Sequence, residues 1–243
     1  MPGYAYNLPA IHCKTGSKLA QVPGTTCHGC YALKGRYRFP NVMDAMMRRL
    51  ASIHRPDWAR TMAADINARR SRWFRWHDSG DIQSVKHLLK IFQVCRMTPD
   101  VAHWLPTREA GLLSKIPQDR VPANLTIRLS ATKVDGPAPG SWPLTSTVVT
   151  TGRSCPAPDQ GNACRDCRAC WDRNIKNVAY GKTPGRGWRG PRTARAPPEG
   201  GKTKGRKGSR EQTPLLPGTR APRGVGPPNP QAQAPAPDPG KKV

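Results

Sequence analysis

The feature that most constrains this chain is the segment Cys13 to Tyr31, in which three cysteines lie among glycine, proline and threonine residues. Cys27 and Cys30 form a C-x2-C pair, and Cys13 lies upstream of this pair. Glycine and proline favour tight turns, which bring backbone N–H groups close to a thiolate. The segment is therefore predicted to be a metal-binding loop, with Cys13, Cys27 and Cys30 as ligands of one centre.

The number of cysteines in this loop bears on the kind of metal it binds. A structural zinc ion requires a closed tetrahedron of four ligands. A 4Fe-4S cluster held by three thiolates instead keeps one iron open to a small molecule. His12 and His28 each stand beside a cysteine, so a zinc site with three cysteines and one histidine is the alternative. Both interpretations stay open on spacing alone.

A second cysteine cluster lies late in the chain. Its core has the spacing C-x2-C-x2-C, which lets three successive thiolates surround one small iron–sulfur cluster. A fourth cysteine precedes this core and is followed by Pro156. Ferredoxin loops place their Cys-Pro after the triplet, so zinc remains an alternative here too. The predicted ligands are Cys155, Cys164, Cys167 and Cys170.

The surroundings of the second cluster are basic and aromatic. We expect Arg153, Arg165 and Arg168 to offset the negative charge of the thiolates, and Trp171 to cover them from solvent. Cys95 is different, because it falls on the apolar face of a predicted helix, where a lone cysteine is usually a small buried hydrophobe. We do not expect Cys95 to bind metal.

The periodicity of the apolar residues predicts an α/β fold. Four clear strands alternate with helical stretches, and a weak entry strand precedes them. The predicted strands are 4–11, 73–77, 101–106, 125–130 and 145–151, and the predicted helices are 41–54, 56–70, 83–97 and 109–116. Strands that alternate with helices in this way favour a parallel sheet.

Polar side chains follow the predicted strands. In parallel α/β folds the functional residues gather where strands end and loops begin, at the carboxyl edge of the sheet. The strand-end residues include His77, Asp78, Ser79, Gly80, Asp81 and Ser130. The sequence therefore predicts a polar binding mouth beside the cysteine loops. His77 is a candidate acid or base within it, with a hydrogen-bonded structural role as the alternative.

The end of the chain differs in composition from the rest. Residues 182–243 hold 13 of the 27 prolines and almost no branched apolar residues, so they bury too little surface to offset the entropy of ordering. We predict a cysteine-rich folded domain at 1–181 and a disordered basic tail at 182–243. The tail has 14 Lys and Arg against three acidic residues, so +11 of the net charge of +25 falls on it and +14 on the domain.

This charge bears on the expected partners. A polyanion such as a nucleic acid or a nucleotide is the expected partner or substrate, and a merely solubilising tail is the alternative. No stretch approaches about 18 uninterrupted apolar residues, and the N-terminus lacks the pattern of a signal peptide. We therefore expect neither a membrane-spanning nor a secreted protein. Eight cysteines in such a chain indicate reduced thiols used as ligands, which favours the cytoplasm.

Several motifs together resemble a known family. The strings GTTCHGCYALKGRY, FRWHDSGD and HWLPTR and the late CRACW are similar to the phage-encoded gene product 88 family over most of residues 1–181. The CxxCYA turn and the HDSGD strand end also resemble divergent radical SAM enzymes. The resemblance implies a partial or truncated (β/α) barrel with two cysteine-rich metal loops, and a place in the cytoplasm of a bacterial host.

The radical SAM resemblance also implies a reaction and roles for residues. Three cysteines in that superfamily hold a 4Fe-4S cluster whose open iron binds S-adenosylmethionine, and here they correspond to Cys13, Cys27 and Cys30. The turn from Asp78 to Asp81 corresponds to the strand end that holds the methionine amino group, and Ser130 falls where ribose contacts are common. The implied reaction is reductive cleavage to methionine and a 5'-deoxyadenosyl radical that abstracts hydrogen from an unidentified substrate.

Three functions are compatible with these observations. The first is a redox enzyme of this type, in which the second cysteine cluster holds an auxiliary iron–sulfur cluster and an electron donor is required. The second is a non-enzymatic, zinc-stabilised basic protein that binds nucleic acid. The third is a scaffold that keeps the fold without catalysis. Metal content separates the first two, because an enzyme of this type contains iron and sulfide.

Overall fold

The strands form one parallel sheet in the order in which they occur along the chain. A computed structural model describes residues 1–182, so the predicted tail at 182–243 lies outside the described residues except for Lys182. The strands are β1 (Tyr4–Tyr6), β2 (Trp73–Trp76), β3 (Ala102–Thr107), β4 (Leu125–Val134), β5 (Thr145–Val149) and β6 (Asn177–Gly181). The sheet is open, with β1 and β6 at its ends. All six carboxyl ends therefore meet at one edge.

The parallel α/β prediction is confirmed, with two differences. The weak entry strand exists only over Tyr4–Tyr6, because Pro9 precedes a 3-10 turn at Ala10–His12. The strand β6 is absent from the sequence-based prediction. Its five residues, NVAYG, follow the second cysteine cluster and carry little apolar alternation. The sheet thus has six strands rather than four or five.

Five α-helices occur among residues 1–182. They are α1 (Lys14–Leu19), α2 (Pro40–Ser52), α3 (Trp58–Ala68), α4 (Val85–Met97) and α5 (Ala110–Leu113). Pro40 starts α2 at a position where a missing N–H costs nothing, and the Ser84 hydroxyl caps α4 by accepting the His87 N–H at 3.0 Å. In this part of the chain no helix is long and apolar enough to cross a bilayer.

The sheet buries an apolar cluster on each face. Side chains of neighbouring strand positions point to opposite faces, so Phe74 and Leu105 join one cluster while Trp104 joins the other. The larger cluster includes residues of α3, α4 and α5 and forms the main core. The smaller cluster joins Trp104 and Val178 of the sheet to Cys170 and Trp171 of the second cysteine loop. That loop therefore takes the place of a helix layer on this face.

Candidate functional site

A cavity of about 120 Å³ lies at the carboxyl edge of the sheet, under the first cysteine loop. All three predicted ligands of the first site, Cys13, Cys27 and Cys30, line it. Its wall also contains His77, Asp78, Ser79, Gly80 and Asp81 after β2, and Arg75, Pro106 and Arg108. The structure therefore brings the first cysteine set and the polar turn after β2 together around one cavity.

The first cysteine loop folds around a short helix that the sequence analysis did not predict. Cys13 immediately precedes α1, and the chain turns through positive φ at Gly24 before it reaches Cys27. A Cβ atom added at Gly16 would stand 3.5 Å from the Cys27 Sγ and 3.7 Å from the Cys13 Sγ. Both sulfur atoms thus face Gly16, and a side chain at this position would crowd them.

Two side-chain contacts tie this loop to the end of β3. Glu109 accepts hydrogen bonds from the backbone N–H and the hydroxyl of Thr15, both at 2.8 Å. Arg108 Nε donates to the Thr26 hydroxyl at 2.9 Å. The Thr26 N–H in turn donates to the carbonyl of Thr132 in β4 at 2.9 Å. Both halves of the loop are therefore held over the edge of the sheet.

The turn after β2 requires glycine at position 80. Gly80 has a φ of +79°, and a Cβ atom there would lie 2.5 Å from the Leu8 Cβ. The neighbouring Ser79 is buried and donates its hydroxyl to the Leu8 carbonyl at 2.9 Å. These contacts fix the turn against the segment that leads from β1 to the first cysteine loop.

Asp81 joins the ends of β2 and β3. Its Oδ1 accepts the Thr107 hydroxyl at 2.6 Å and the Ile82 N–H at 2.7 Å, and its Oδ2 accepts the Arg108 N–H at 2.9 Å. Burial raises the pKa of Asp81 to about 6, although these donors oppose the shift. Asp81 therefore supports the cavity wall through contacts within the protein.

Asp78 presents a free acceptor in the cavity wall. Its Oδ2 accepts the Tyr37 hydroxyl at 3.0 Å, and its backbone carbonyl accepts the Tyr31 hydroxyl. Its Oδ1 is buried and has no donor among residues 1–182. Burial raises the pKa of Asp78, while the hydrogen bond from Tyr37 lowers it. A buried acceptor without a donor is a position where a bound ligand can donate.

His77 is buried with both ring nitrogens unpartnered within the described chain. Its φ is 55°, an uncommon value for a residue other than glycine. Burial lowers the pKa of His77 well below its ordinary value, and the neighbouring His87 and Arg75 lower it further. The imidazole is therefore neutral at pH 7, and it offers one donor and one acceptor.

The cysteines of the first loop share one electrostatic environment. Burial raises the pKa of Cys13, and negative charge on Asp81, Cys30 and Cys27 raises it further. Burial also raises the pKa of Cys27, whereas Arg108 lowers it. Without a bound cation, a thiol in such surroundings stays protonated at neutral pH.

Other predicted ligands lie outside this cavity wall. The Ser130 hydroxyl pairs with the Ser146 hydroxyl at 3.0 Å, between β4 and β5, and does not line the cavity. His12 and His28, the alternative zinc ligands, are exposed and are likewise not part of the wall. Across residues 1–182, no three His, Cys, Asp or Glu side chains form a group arranged to hold a metal ion.

A buried arginine of β4 forms many of the contacts that hold the second cysteine loop. Arg128 projects from β4, is fully buried, and donates only to backbone carbonyls, at distances from 2.7 to 3.2 Å for the five closest. The five acceptors are the carbonyls of Thr145, Ala169, Cys170, Asp172 and Ile175. No carboxylate within residues 1–182 forms an ion pair with this guanidinium.

The predicted ligands of the second site lie near one another. Burial raises the pKa of Cys155, and negative charge on Cys164 and Cys167 raises it further. Burial raises the pKa of Cys170 to about 11, and the Cys170 Sγ lies 3.1 Å from the Tyr180 hydroxyl of β6. The loop is therefore linked to the last strand as well as to β4.

The residues around the second loop differ partly from the prediction. Trp171 is buried as expected, and its indole N–H donates to the Phe74 carbonyl at 3.0 Å. Arg153 pairs with Asp159 and also lowers the pKa of Cys155, as expected of it, whereas Arg168 donates to backbone carbonyls. Arg128, for which no role was predicted, is the buried cation beside this loop.

Two residues that hold the cysteine loops also carry a signal in the sequence. Glu109 directly follows Thr107 and Arg108 at the end of β3, where the chain reaches the wall of the cavity. Arg128 falls on the polar phase of LTIRLS, between Ile127 and Leu129, and an arginine inside a strand marks either an exposed face or a buried polar partner. Because Arg128 donates to five carbonyls, it is a buried residue with polar partners.

The family model described as Gene product 88 matches residues 1–143. The matched range includes the first cysteine loop and the polar turn after β2, and it ends before the second cysteine loop. Neither the curated proteins nor the solved structures contain a match to the chain.

Proposed function

The chain belongs to the gene product 88 family, and we propose that it is an iron–sulfur enzyme that resembles radical SAM enzymes. In this proposal Cys13, Cys27 and Cys30 hold a 4Fe-4S cluster at the cavity, and S-adenosylmethionine binds beside it. The supporting observation is that these cysteines line one cavity together with His77 and the turn Asp78–Asp81.

The donor set of the cavity fits such a cluster. Three thiols are present there, and a cluster bound by three thiolates leaves one iron free for a small molecule. The raised pKa of Cys13 means that a bound cation is needed to keep that sulfur as a thiolate. Gly16 leaves the space beside the sulfurs of Cys13 and Cys27 free of a side chain.

The polar groups of the cavity fit the amino acid end of S-adenosylmethionine. Asp78 Oδ1 is a buried acceptor without a donor, and Arg75 Nε is a buried donor without an acceptor within residues 1–182. An α-amino acid carries an ammonium group and a carboxylate, which need one partner of each kind. The cavity, at about 120 Å³, is smaller than the roughly 300–1,000 Å³ typical of organic ligands, so the adenosine part would extend beyond it.

The fold is compatible with this proposal. Six parallel strands in sequential order, with functional residues at their carboxyl ends, are what a partial (β/α) barrel requires. A reduced cluster of this type supplies one electron for the cleavage of S-adenosylmethionine. The chain itself orients the amino acid through Asp78, offers a neutral imidazole at His77, and holds the cysteine loop through Glu109 and Arg108.

We further propose that the second cysteine loop holds an auxiliary cluster through Cys155, Cys164, Cys167 and Cys170. A buried guanidinium is costly unless a negative group lies near it. Arg128 donates to the Cys170 carbonyl at 3.1 Å and forms no ion pair within the described chain. Burial lowers the pKa of Arg128, and nearby Tyr180, Cys170 and Asp172 only oppose this shift. A cluster with thiolate ligands would add negative charge beside it.

The decisive experiment is metal analysis of the full chain purified without oxygen. We expect iron and acid-labile sulfide in equal amounts, roughly four of each per cluster, and production of methionine from S-adenosylmethionine after reduction with dithionite. A colourless protein that contains zinc and no sulfide would contradict the proposal.

Matched variants assign the two sites. Cys27→Ala should remove the iron of the first site and abolish cleavage, and Cys170→Ala should remove only the iron of the second. Cys95→Ala is the control, because Cys95 is buried in the main core and lies away from both loops. If Cys95→Ala lost as much iron as Cys27→Ala, the loss would reflect unfolding rather than ligation.

A zinc-stabilised, non-enzymatic nucleic-acid-binding protein is the second candidate function. It is supported by the net charge of +25 and by the closely spaced cysteines. The same metal analysis separates the two candidates. Under either candidate function, we expect a phage-encoded protein that acts in the cytoplasm of a bacterial host. The enzyme would also require an electron donor from that host.

A further inference from the structure

A second and larger cavity, of about 480 Å³, lies at the β1 edge of the sheet. It runs between β1 and one face of α3, and the beginning of β2 and the end of α2 complete its wall. We call it the edge cleft, and its lining includes Tyr4, Arg49, Trp58, Asp65, Arg69 and Trp73. Its volume is in the range of cavities that hold organic ligands.

Two donors in the edge cleft are available to an anion. Arg49 is half-buried and donates to the Asn7 side-chain oxygen at 2.5 Å, and no carboxylate of residues 1–182 forms an ion pair with it. Trp58 is 3% exposed, and its indole N–H has no acceptor in the described chain. A buried donor without an acceptor indicates a missing ligand or water.

The mouth of the edge cleft carries an aromatic ring that is open to solvent. Tyr4 is 47% exposed, and the Arg69 guanidinium lies over its ring at 4.8 Å. An exposed aromatic ring beside a guanidinium plane is an arrangement on which an unpaired base can stack.

We propose that the edge cleft binds single-stranded nucleic acid, with a base stacked on Tyr4 and a phosphate at Arg49. The strongly basic charge of the chain, +25, adds attraction that does not depend on base sequence. An acidic peptide would use Arg49 equally well but gains little from an exposed tyrosine ring. The site is separate from the cysteine cavity and does not depend on a bound cluster.

The test measures binding of a fluorescein-labelled oligothymidylate to the full chain by anisotropy. Tyr4→Ala leaves the charge unchanged, and we expect it to weaken binding about tenfold, since base stacking is worth about 1–3 kcal/mol per base. Tyr4→Phe should retain the affinity. Phe39→Ala is the control, because Phe39 is a similarly exposed aromatic residue outside the cleft.

Arg49→Ala tests the phosphate position. We expect weaker binding and a slope of log Kd against log salt that falls by roughly one unit. Arg60→Ala is the control for charge, because Arg60 is an exposed residue of α3 outside the cleft. Thermal unfolding of each variant shows whether it is folded.

Three results would overturn the proposal. Equal affinities of Tyr4→Ala and Phe39→Ala would mean that no base stacks on Tyr4. Equal salt slopes for Arg49→Ala and Arg60→Ala would place the phosphate elsewhere. Displacement of the oligothymidylate by polyglutamate at the same charge concentration would identify an acidic peptide as the ligand. Cys27→Ala should bind the oligothymidylate normally, which keeps this test independent of the proposed function.

Discussion

The two cysteine loops are anchored in opposite ways. The first lies over the carboxyl edge of the sheet and is held by side chains, chiefly Glu109 on Thr15 and Arg108 on Thr26. The second lies on a face of the sheet and is held mainly through its backbone carbonyls, by Arg128 and by the Thr126 hydroxyl, which donates to the Trp171 carbonyl at 2.7 Å.

The surroundings of the two loops also differ. The first loop borders a cavity whose wall contains buried polar atoms without partners, whereas the second packs Cys170 and Trp171 into an apolar cluster. A loop with unsatisfied groups beside an open space is arranged to receive a ligand. A loop that packs into an apolar cluster and is anchored through several of its carbonyls is arranged to hold one permanently.

The largest expected effect comes from removing the anchor of the second loop. Arg128→Met would remove a donor from five carbonyls. We expect the free energy of unfolding to fall by about 3–5 kcal/mol, because buried acceptors left unpaired cost about 1–3 kcal/mol each, while removal of a buried charge offsets part of that loss. Urea denaturation measures this change. Arg173→Met is the control, because Arg173 is exposed and donates to one carbonyl. If both variants were equally stable, the second loop would not depend on Arg128.

The next largest effect concerns the turn beside the first loop. Gly80→Ala would place a Cβ atom 2.5 Å from the Leu8 Cβ at a φ of +79°, and we expect a loss of about 3 kcal/mol. Gly111→Ala is the control, since a Cβ atom there meets nothing within 4 Å; it should leave stability unchanged or raise it slightly. Thermal unfolding distinguishes these outcomes, and a fully stable Gly80→Ala would contradict the rigid turn.

A pH dependence follows from the buried carboxyl that joins β2 to β3. The pKa of Asp81 is raised to about 6 in the folded protein, so between about pH 4 and pH 6 the folded state retains a proton that the unfolded state loses. This group therefore lowers stability as the pH rises through that interval, by about 2 kcal/mol.

Asp81→Asn should remove this contribution. The variant is expected to be less stable overall, because an amide cannot accept all three hydrogen bonds. The measurement is the difference in unfolding free energy between wild type and variant from pH 4 to pH 7. The buried histidines contribute equally to both proteins, so their effect cancels in this difference. An Asp44→Asn variant, changed at an exposed residue, is the control. A flat difference for Asp81→Asn would contradict the raised pKa.

The smallest expected effect concerns the side-chain anchor of the first loop. Glu109→Gln keeps one acceptor for Thr15 and loses the other, so we expect a loss of about 1–2 kcal/mol. Proteolysis at Lys14 and Lys18 should accelerate, because both lie in the loop that Glu109 holds. Equal rates in wild type and variant would mean that the loop is held by other contacts.

Much of the fold follows from local pattern. The apolar spacing of residues 41–70 and 83–97 locates three helices to within a few residues, because Pro40 and Ser84 mark two of their beginnings. The cysteine spacing and the HDSGD string also identify the residues that line the first cavity.

The features that could not be predicted depend on distant contacts. Arg128 alternates with Ile127 and Leu129, so its position looks solvent-exposed until residues 169–175 fold over that face of the sheet. The strand β6 is too short to stand out and is defined by its pairing with β5. Likewise α1 contains Gly16 and lacks an apolar face. The Thr15 N–H in its first turn donates to Glu109, which lies 94 residues away in the sequence.

The link between Arg128 and the second loop also orders the completion of the protein during synthesis. The first five strands leave the ribosome before any residue of 169–175, so the guanidinium on β4 remains hydrated while that sheet face is bare. When these residues arrive, they cover the arginine and deliver β6 to the side of β5. We therefore expect the guanidinium to lose its water and β6 to join the sheet in one late step.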